Sequence, residues 1–471
     1  MDDKRLNYDK TDKYSIEKYG QGMIGKTFME LCLMDTDNPL VYDSSGYMTE
    51  HENENRKGGL GQLVEERYYH YKANSESAPD FEEAGVELKV TPYKINKNKS
   101  RSAKERLVLN MINYESVVNE VAFEESHFWY KNRLILLVYY LWKEHIDRLN
   151  YEIHYVRLFT PSKEDLVIIR NDYVKIIKKI QGGKAHEISE SDTLYLSACT
   201  KSSDSSKRTS QPNSSIPAKP RAFAYKASYM TYVLNNVIIT GKPLFESIVK
   251  KEEVDDFETY VINKINKYKG KSFEELCEHF DLIRPIKAKN LGAMLAFRML
   301  GVKGNDAEEF VKANIKVKTI RINASEKIKE NMSFPTFRFT DIANQEWEES
   351  DFYDLLSSTK FLFVVYKEDK NGHYRLDHAQ FWNMPNSILN NEVKEVWKKT
   401  KNVINCLPDD LRENGHYKSI FPKQSENPVC HVRPHAINAK DTYLLPDGRE
   451  YPKQCFWLNN TYILSIVGKE L

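Results

Sequence analysis

The sequence predicts a mixed α/β (α+β) protein made of two tandem copies of one fold, with residues 1–240 and 260–471 as the two domains. Three observations predict it: a segment near the N-terminus recurs in mid-chain, the segments after each copy recur in the same order, and each copy alternates capped helices with strands of alternating polarity. Gly25-Lys-Thr-Phe-Met-Glu-Leu-Cys32 returns as Gly270-Lys-Ser-Phe-Glu-Glu-Leu-Cys277. Each reads as a short helix opened by Thr or Ser, with a glutamate three residues later to close a capping box. Next come Lys57-Gly-Gly-Leu-Gly-Gln-Leu-Val-Glu65 and Lys289-Asn-Leu-Gly-Ala-Met-Leu-Ala296, matched at Leu60-Gly61 and Leu291-Gly292 and both continuing as helices. Asp80-Phe-Glu-Glu-Ala-Gly-Val-Glu-Leu-Lys-Val-Thr91 is answered by Glu309-Phe-Val-Lys-Ala-Asn-Ile-Lys-Val-Lys-Thr319, a turn running into an alternating strand. Lys104-Glu105 then pairs with Lys329-Glu330, the apolar strand 134–140 with 361–366, and Pro220-Arg-Ala-Phe223 with Pro452-Lys-Gln-Cys-Phe456. Chance explains any one match but not the ordered series. The charged segment Val249 to Asp256 joins the copies.

Composition narrows the class without naming a function. With 471 residues, 41% hydrophobic and 29% charged, the chain is neither disordered nor fibrous. Its longest apolar run, 134–142, falls well short of the ~20 residues a membrane helix needs, and MDDKRLNYDK lacks the apolar centre of a signal peptide. No membrane partner and a cytoplasmic location are the expectations. The six cysteines contain no C-x-x-C pair, which argues against a disulfide framework or a ribbon-type zinc site. A net charge of +1 gives no whole-molecule attraction to nucleic acid, but two runs are locally basic: Lys94 to Arg106 and Lys201 to Lys226, each with six basic residues. Within the second, Lys201 to Ser215 has the composition of a linker, while its place opposite Arg433 to Lys440 predicts a mobile loop that orders on a partner.

The chemistry-bearing pattern is Val86-Glu-Leu-Lys-Val90. On a strand Glu87 and Lys89 share one face while Val86, Leu88 and Val90 take the other, and Asp80, across the turn at Gly85, can bring its carboxylate beside Glu87. Two carboxylates supply hard oxygen ligands for Mg²⁺, and the lysine orients a water and offsets charge, a set suited to phosphodiester hydrolysis. The string alone is weak: Asp377 with Glu392-Val-Lys394 spells it too, yet that pair lies in a charged amphipathic helical stretch, 391–406, where the two side chains diverge. In the second copy Asp80 becomes Glu309, Glu87 becomes Lys316, Lys89 is kept as Lys318 and Glu65 becomes Ala296. Two lysines on one face repel a divalent cation, so the comparison predicts one catalytic and one binding copy, and it singles out Glu65 as a supporting group.

These residues carry a resemblance. Lys57-Gly-x-Leu-Gly-x-Leu-x-Glu65 followed by Asp80-Phe-x-x-x-Gly-x-Glu-Leu-Lys89 resembles the signature of the MutH superfamily of PD-(D/E)XK-like nucleases. Val432-Arg-Pro-His-Ala-Ile-Asn-Ala-Lys440 is similar to that family's base-reading loop. Over nearly its full length the chain resembles the GATC-cutting type II restriction endonucleases of the superfamily, the Sau-three-A-one type, which pair an active MutH-like domain with an inactive one. The resemblance implies Mg²⁺-dependent cleavage of double-stranded DNA before the G of GATC, with Asp80, Glu87 and Lys89 catalytic, Asp80 and Glu87 holding the metal, and Glu65 supporting. It implies that Arg433, His435, Asn438 and Lys440 bind a second copy of the site as an effector, so that two sites are held at once, and it is compatible with a DNA-induced dimer. His435 departs from the family's lysine, and the loop Ala198 to Lys207 has no Arg-Pro pair, which leaves its register open.

For the first copy, base readout is expected from Lys201, Ser205, Lys207 and Arg221, with Lys226 closing the basic run; Lys94, Lys97, Lys99, Arg101 and Lys104 are expected on phosphates. A zinc cluster of Cys430, His431, His435 and Cys455 is disfavoured, because adjacent residues diverge on a strand and no second ligand flanks Cys455. Two other activities remain open: a single-strand nicking endonuclease of the same superfamily, and a DNA-binding regulator without catalysis.

Overall fold

The computed structural model describes residues 7–34, 59–71, 78–96, 98–120, 122–202, 204, 206–249, 254–282 and 290–468. Lys57, Lys97, Ser205, Lys289 and residues 250–253 of the joining segment lie outside them. The chain divides into two compact units. The first comprises Met1–Ile188, Asp192–Leu244 and Val311–Ala313; the second comprises Ser189–Ser191, Phe245–Phe310 and Asn314–Leu471.

In the first unit a sheet of order β2-β1-β4-β5 holds β1 (Glu87–Ile95), β2 (Arg101–Ala103), β4 (Ile135–Leu141) and β5 (Glu152–Phe159). Strand β1 runs parallel to β4, with Glu87 opposite Ile135 and Lys89 opposite Leu137, and β4 is antiparallel to β5. A second sheet orders β3 (Leu107–Met111), β9 (Arg221–Tyr225) and β6 (Leu196–Thr200), with β9 central. The all-apolar sequence of β4 follows from its central place, and Leu88, Leu136, Val138, Ile153 and Val156 close the core with Val64, Tyr69, Phe81 and Val86 from the preceding helical turns.

The second unit repeats the plan. Strand β10 (Ile315–Ile322) runs parallel to β12 (Lys360–Glu368), which is antiparallel to β13 (Tyr374–Trp382). A second sheet orders β11 (Met332–Phe337), β19 (Gln454–Leu458) and β16 (Cys430–Pro434). Two small hairpins complete it: β14 (Arg412–Glu413) with β15 (His416–Tyr417), and β17 (Thr442–Leu444) with β18 (Glu450–Pro452). The capping boxes form in both copies. The Thr27 and Ser272 hydroxyls accept from the backbone N–H of Glu30 and Glu275 at 3.2 Å, and those carboxylates accept back from the cap N–H at 2.7 Å. A further pair escapes the sequence comparison: Phe123-Glu-Glu-Ser126 and Trp347-Glu-Glu-Ser350 each end in a serine that caps the next helix, accepting from the N–H of Trp129 and of Tyr353.

The helix Lys163–Gln181 starts at Ser162, whose hydroxyl accepts from Asp165 N–H, and buries Ile169, Tyr173, Ile176 and Ile180. Its Asp172, 1% exposed, accepts from the backbone N–H of Leu194, Tyr195 and Leu196 at 2.7, 2.6 and 3.0 Å, which fixes the start of β6. Asp172→Ala leaves these buried donors without an acceptor. At about 1–3 kcal/mol per orphaned group, with partial relaxation, the expected loss is about 3–5 kcal/mol. Thermal melting of the full chain checks it, and an unchanged transition would contradict this account of the β6 anchor.

The expectation of a mobile loop over Lys201 to Ser215 needs correction at its far end. Strands β7 (Thr209–Gln211) and β8 (Ser214–Ala218) form a hairpin there. Gln211 anchors it: the buried side chain accepts from Ala185 N–H at 2.7 Å and donates to Ile216 O at 2.5 Å. Serine-rich composition is compatible with a hairpin as soon as one polar side chain finds buried partners. The decoy segment is helical, as expected: Glu392 lies in the wide turn Leu389–Val393 and Lys394 opens the helix Lys394–Asn405.

Candidate active site

Gly85 makes the turn before β1, with φ of 65°, and Asn314 stands at the corresponding place before β10 with φ of 52°. Left-handed backbone favours glycine first and asparagine next, so the two copies solve one turn with two residues. Gly85→Asn is therefore expected to fold and act nearly as the parent, whereas Gly85→Val strains the turn and lowers activity. Comparing their cleavage rates and melting temperatures is the check; equal behaviour would show that the turn does not control the site.

Beyond the turn, the hairpin brings the two carboxylates together. Asp80 N–H donates to Glu87 Oε2 at 3.2 Å, and Leu88 N–H donates to Asp80 Oδ2 at 2.8 Å. Lys89 Nζ donates to Glu87 Oε1 at 2.5 Å. Glu87 is 1% exposed, so this strand face is not the open surface that alternation alone suggests. Burial pushes the Glu87 carboxyl up against the pull of Lys89. Glu65 joins the group from the side: its carboxyl is pushed up to about 7 by burial and then by the charge of Asp80, with Lys89 opposing and Glu87 adding. Burial and the neighbouring Asp80 likewise raise the Tyr71 phenol, which stays neutral.

Glu65 sits on a wide π-type turn, Val64–Tyr68, that continues the helix Gly59–Leu63. In the second unit the corresponding helix Leu291–Met299 is regular and carries Ala296 there. Wide turns cluster at functional sites because they re-aim one side chain at the expense of helix regularity.

A residue absent from the sequence reading also reaches the group. Lys131 Nζ lies 3.8 Å from Glu87 Oε2, presented by the helix His127–Asn132 that Ser126 caps. It comes from 44 residues further along the chain, so no local spacing reveals it. The Glu-Glu-Ser repeat does: Lys131 lies five residues after Ser126, and Leu355 lies five after Ser350.

Among the described residues, no three His, Cys, Asp or Glu side chains stand together as a ready-made metal cage. Asp80 and Glu87 instead form a two-carboxylate platform, with Glu65 nearby. That donor set fits Mg²⁺, which is usually held by one or two carboxylates and completes its octahedron with water and substrate phosphate. The Glu65 carboxyl, raised in part by its acidic neighbours, marks an excess of negative charge that a cation relieves.

The expected DNA-contacting residues separate into three groups. Lys94, Lys99, Arg101 and Lys104 are exposed on and beside the β1–β2 hairpin, Lys104 with its ammonium 4.5 Å from the Trp142 ring centre. Lys201 and Lys207 are exposed as well, while Lys97 and Ser205 lie outside the described residues. Arg221 and Lys226 must be withdrawn. Both are buried, at 7% and 4% exposure. Arg221 donates to Ala198 O and Ile188 O at 2.6 and 2.5 Å, and Lys226 donates to Thr193 O. Their charges are engaged by backbone carbonyls of buried residues.

The register left open for the first copy's loop follows from the sheets. Thr200 pairs with Arg221 on β9, and Pro434 pairs with Gln454 on β19. One residue on, Lys201 N–H donates to Pro220 O and His435 N–H donates to Lys453 O, both at 2.9 Å. Lys201 therefore stands where His435 stands, and Cys199, buried at 1%, stands where Arg433 does. In the second unit Arg433 is exposed, with its guanidinium 4.5 Å from the Trp457 ring centre, and the His435 ring lies 5.3 Å from the same indole. Asn438 and Lys440 share the loop, where Asn438 Oδ1 accepts from Lys440 N–H at 2.9 Å. Of the zinc alternative, Cys430 and Cys455 are buried and His431 is hydrogen-bonded through Nδ1 to Asn459 at 2.6 Å.

Comparison with known proteins meets this geometry. The family model described as "DNA mismatch repair enzyme MutH" matches residues 69–172 and again 301–395, one segment in each copy. The chain is 38% identical over 452 residues to the "Type II restriction enzyme Sau3AI" of Staphylococcus aureus, a match spanning 86% of this chain and 91% of that protein. It is 25% identical over 202 residues to the "DNA mismatch repair protein MutH" of Vibrio vulnificus strains YJ016 and CMCP6, over 42% of this chain and 82% of each of those proteins.

Proposed function

Since the chain belongs to the Sau3AI family of type II restriction enzymes, site-specific deoxyribonucleases built here on two MutH-like domains, we propose that it cuts both DNA strands at GATC with Mg²⁺ held by Asp80 and Glu87. Residues 1–240 cut; residues 260–471 bind a further copy of the site as an effector, through Arg433, His435, Asn438 and Lys440. The observation that carries the reading is the contrast at one strand position: Glu87 beside Asp80 and between two lysines in the first copy, Lys316 in the second.

The chain's own groups divide the work. Asp80 and Glu87 supply the anionic oxygens of the platform, and the Lys89 ammonium orients the attacking water and offsets charge that grows on the phosphate in the transition state. Lys131, on the other side of Glu87, adds positive charge where a phosphate would approach. Glu65, a carboxylate beside the platform, supports the metal or its water. Asp80 and Glu87 would hold Mg²⁺, which would supply Lewis acidity at this platform. Lys94, Lys99, Arg101 and Lys104 hold the backbone on one side, and Lys201 and Lys207 approach base edges from the loop after β6. Lys97 and Ser205 are proposed alongside them on sequence grounds alone. Dimerisation on DNA and a cytoplasmic location belong to the same proposal; no helix among the described residues is long and apolar enough to cross a membrane.

Digestion of a mapped supercoiled plasmid with Mg²⁺ tests the reading. Linear fragments ending at GATC are the expected product. Open circles would mean nicking instead, and a gel shift without strand breakage would mean a DNA-binding regulator.

A further inference from the structure

The second unit rebuilds the catalytic hairpin with opposite charge. Lys316 and Lys318 alternate on β10 as Glu87 and Lys89 do on β1, and they lie opposite Phe361 and Phe363 of the parallel neighbour as the first pair lies opposite Ile135 and Leu137. The acids around them are gone or occupied. Ala296 replaces Glu65, and Glu309, at the position of Asp80, is buried and tied down. Its oxygens accept from Ile248 N–H at 3.0 and 3.1 Å, from Val249 N–H at 3.0 Å and from the Ser247 hydroxyl at 2.5 Å. Leu355 takes the place of Lys131.

Asp306, among the described residues, is an acid that feels Lys316. It is partly buried, which raises its carboxyl, and Oδ1 already accepts from Ala307 N–H at 3.0 Å. Among the described residues neither lysine ammonium has a hydrogen-bond or ion-pair partner. Lys318 is partly buried, and burial together with Lys316 holds its ammonium below the usual lysine range. Two ammoniums on one face, one of them partly desolvated and neither paired, describe a site that lacks an anion.

We propose that Lys316 and Lys318 clamp a backbone phosphate of the duplex held by the second unit, at the place where the first unit holds its metal and the phosphate to be cut. The inference rests on the DNA-binding reading of that unit and adds how it grips DNA: without a divalent ion, and without reading sequence. The exchange of Glu87 for Lys316 then does more than remove an activity. It turns a centre that needs a cation to approach DNA into one that carries its own positive charge.

The test is binding of a labelled duplex with one GATC site to the full chain in EDTA, followed by fluorescence anisotropy across a KCl series. Each phosphate neutralised contributes about 0.9 to the slope of log K against log salt. The double variant Lys316→Ala, Lys318→Ala is expected to lower that slope by about 0.9, the share of one phosphate, and to weaken binding about tenfold at moderate salt. GATC and scrambled duplexes should suffer equally, since a phosphate contact carries no base information. Lys318→Arg should keep most of the affinity. Lys316→Gln, at an exposed position where folding is not at stake, should lower the slope and the affinity in the same direction by less than the double variant does. If the parent binds well and the variants match it in affinity and slope, the clamp is overturned, and weaker binding by Arg433→Ala, Lys440→Ala in the same assay keeps the DNA-binding reading of the unit. A parent that does not bind duplex in EDTA would overturn both.

Discussion

Glu87→Ala should reduce double-strand cleavage by about a thousandfold or more while leaving DNA binding intact. The Glu87 carboxylate accepts from both Asp80 N–H and Lys89 Nζ and lies within 3.8 Å of Lys131, so its removal undoes the platform and leaves two ammoniums without their shared counterion. Loss of a Lewis-acid site forfeits several kcal/mol of transition-state stabilisation, and each 1.36 kcal/mol is tenfold in rate. Binding should persist, because the change removes negative charge near the DNA backbone. Linearisation of supercoiled plasmid with Mg²⁺, beside a gel shift in its absence, measures the two effects. A variant that still cuts at the parent rate would show that the metal is held elsewhere. Glu87→Gln is a stricter version, preserving volume while removing the charge and one of the two acceptor oxygens.

The sequence disclosed this centre where the relevant spacing is local. Glu87 and Lys89 sit one residue apart on a strand, and Asp80 lies across a turn whose glycine announces it. Ordered self-similarity disclosed the second copy, and the exchange of Glu87 for Lys316 needed only reading one copy against the other. Lys131 stayed hidden because its approach depends on β4 lying parallel to β1, which places the helix before β4 beside the start of β1. The Glu-Glu-Ser repeat marks the residue, but its contact with Glu87 follows from the crossover. Arg221 and Lys226 illustrate the reverse failure. Counting basic residues treats every charge as solvated, yet these two side chains point inward and donate to the carbonyls of Ala198, Ile188 and Thr193. Burial is a property of the sheet β3-β9-β6, and nothing in the run Lys201 to Lys226 distinguishes an inward lysine from an outward one. Register behaves the same way: Lys201 and His435 are equivalent because each follows a strand paired to the central strand of its sheet, although the residues around them share little spelling.

Arg433→Ala combined with Lys440→Ala is expected to abolish most of the response to a second GATC duplex while sparing the metal chemistry. The Arg433 guanidinium packs on Trp457, which would reduce the entropy lost on engaging a base or phosphate. The loop beyond it is braced, with Ile437 N–H on Asp441 Oδ2 at 3.0 Å, Asp441 N–H on Asn438 O at 3.1 Å, and Asp441 paired with Lys453. Truncating two exposed side chains there should leave the frame standing. A bidentate arginine contact to a base is worth about 1–3 kcal/mol of discrimination, and a lysine on phosphate adds a salt-dependent increment. Together they should raise the effector concentration for half-maximal stimulation about tenfold to a hundredfold at moderate salt. The measurement is the cleavage rate of a one-site plasmid as unlabelled GATC duplex is titrated in. A parent rate that ignores added duplex would remove the effector role altogether. A variant that responds like the parent would move recognition away from this loop. Because Lys316 and Lys318 are proposed to hold backbone rather than bases, changing them should weaken GATC and scrambled duplexes alike, whereas the Arg433 change should cost the GATC duplex more. That difference separates grip from reading within one unit.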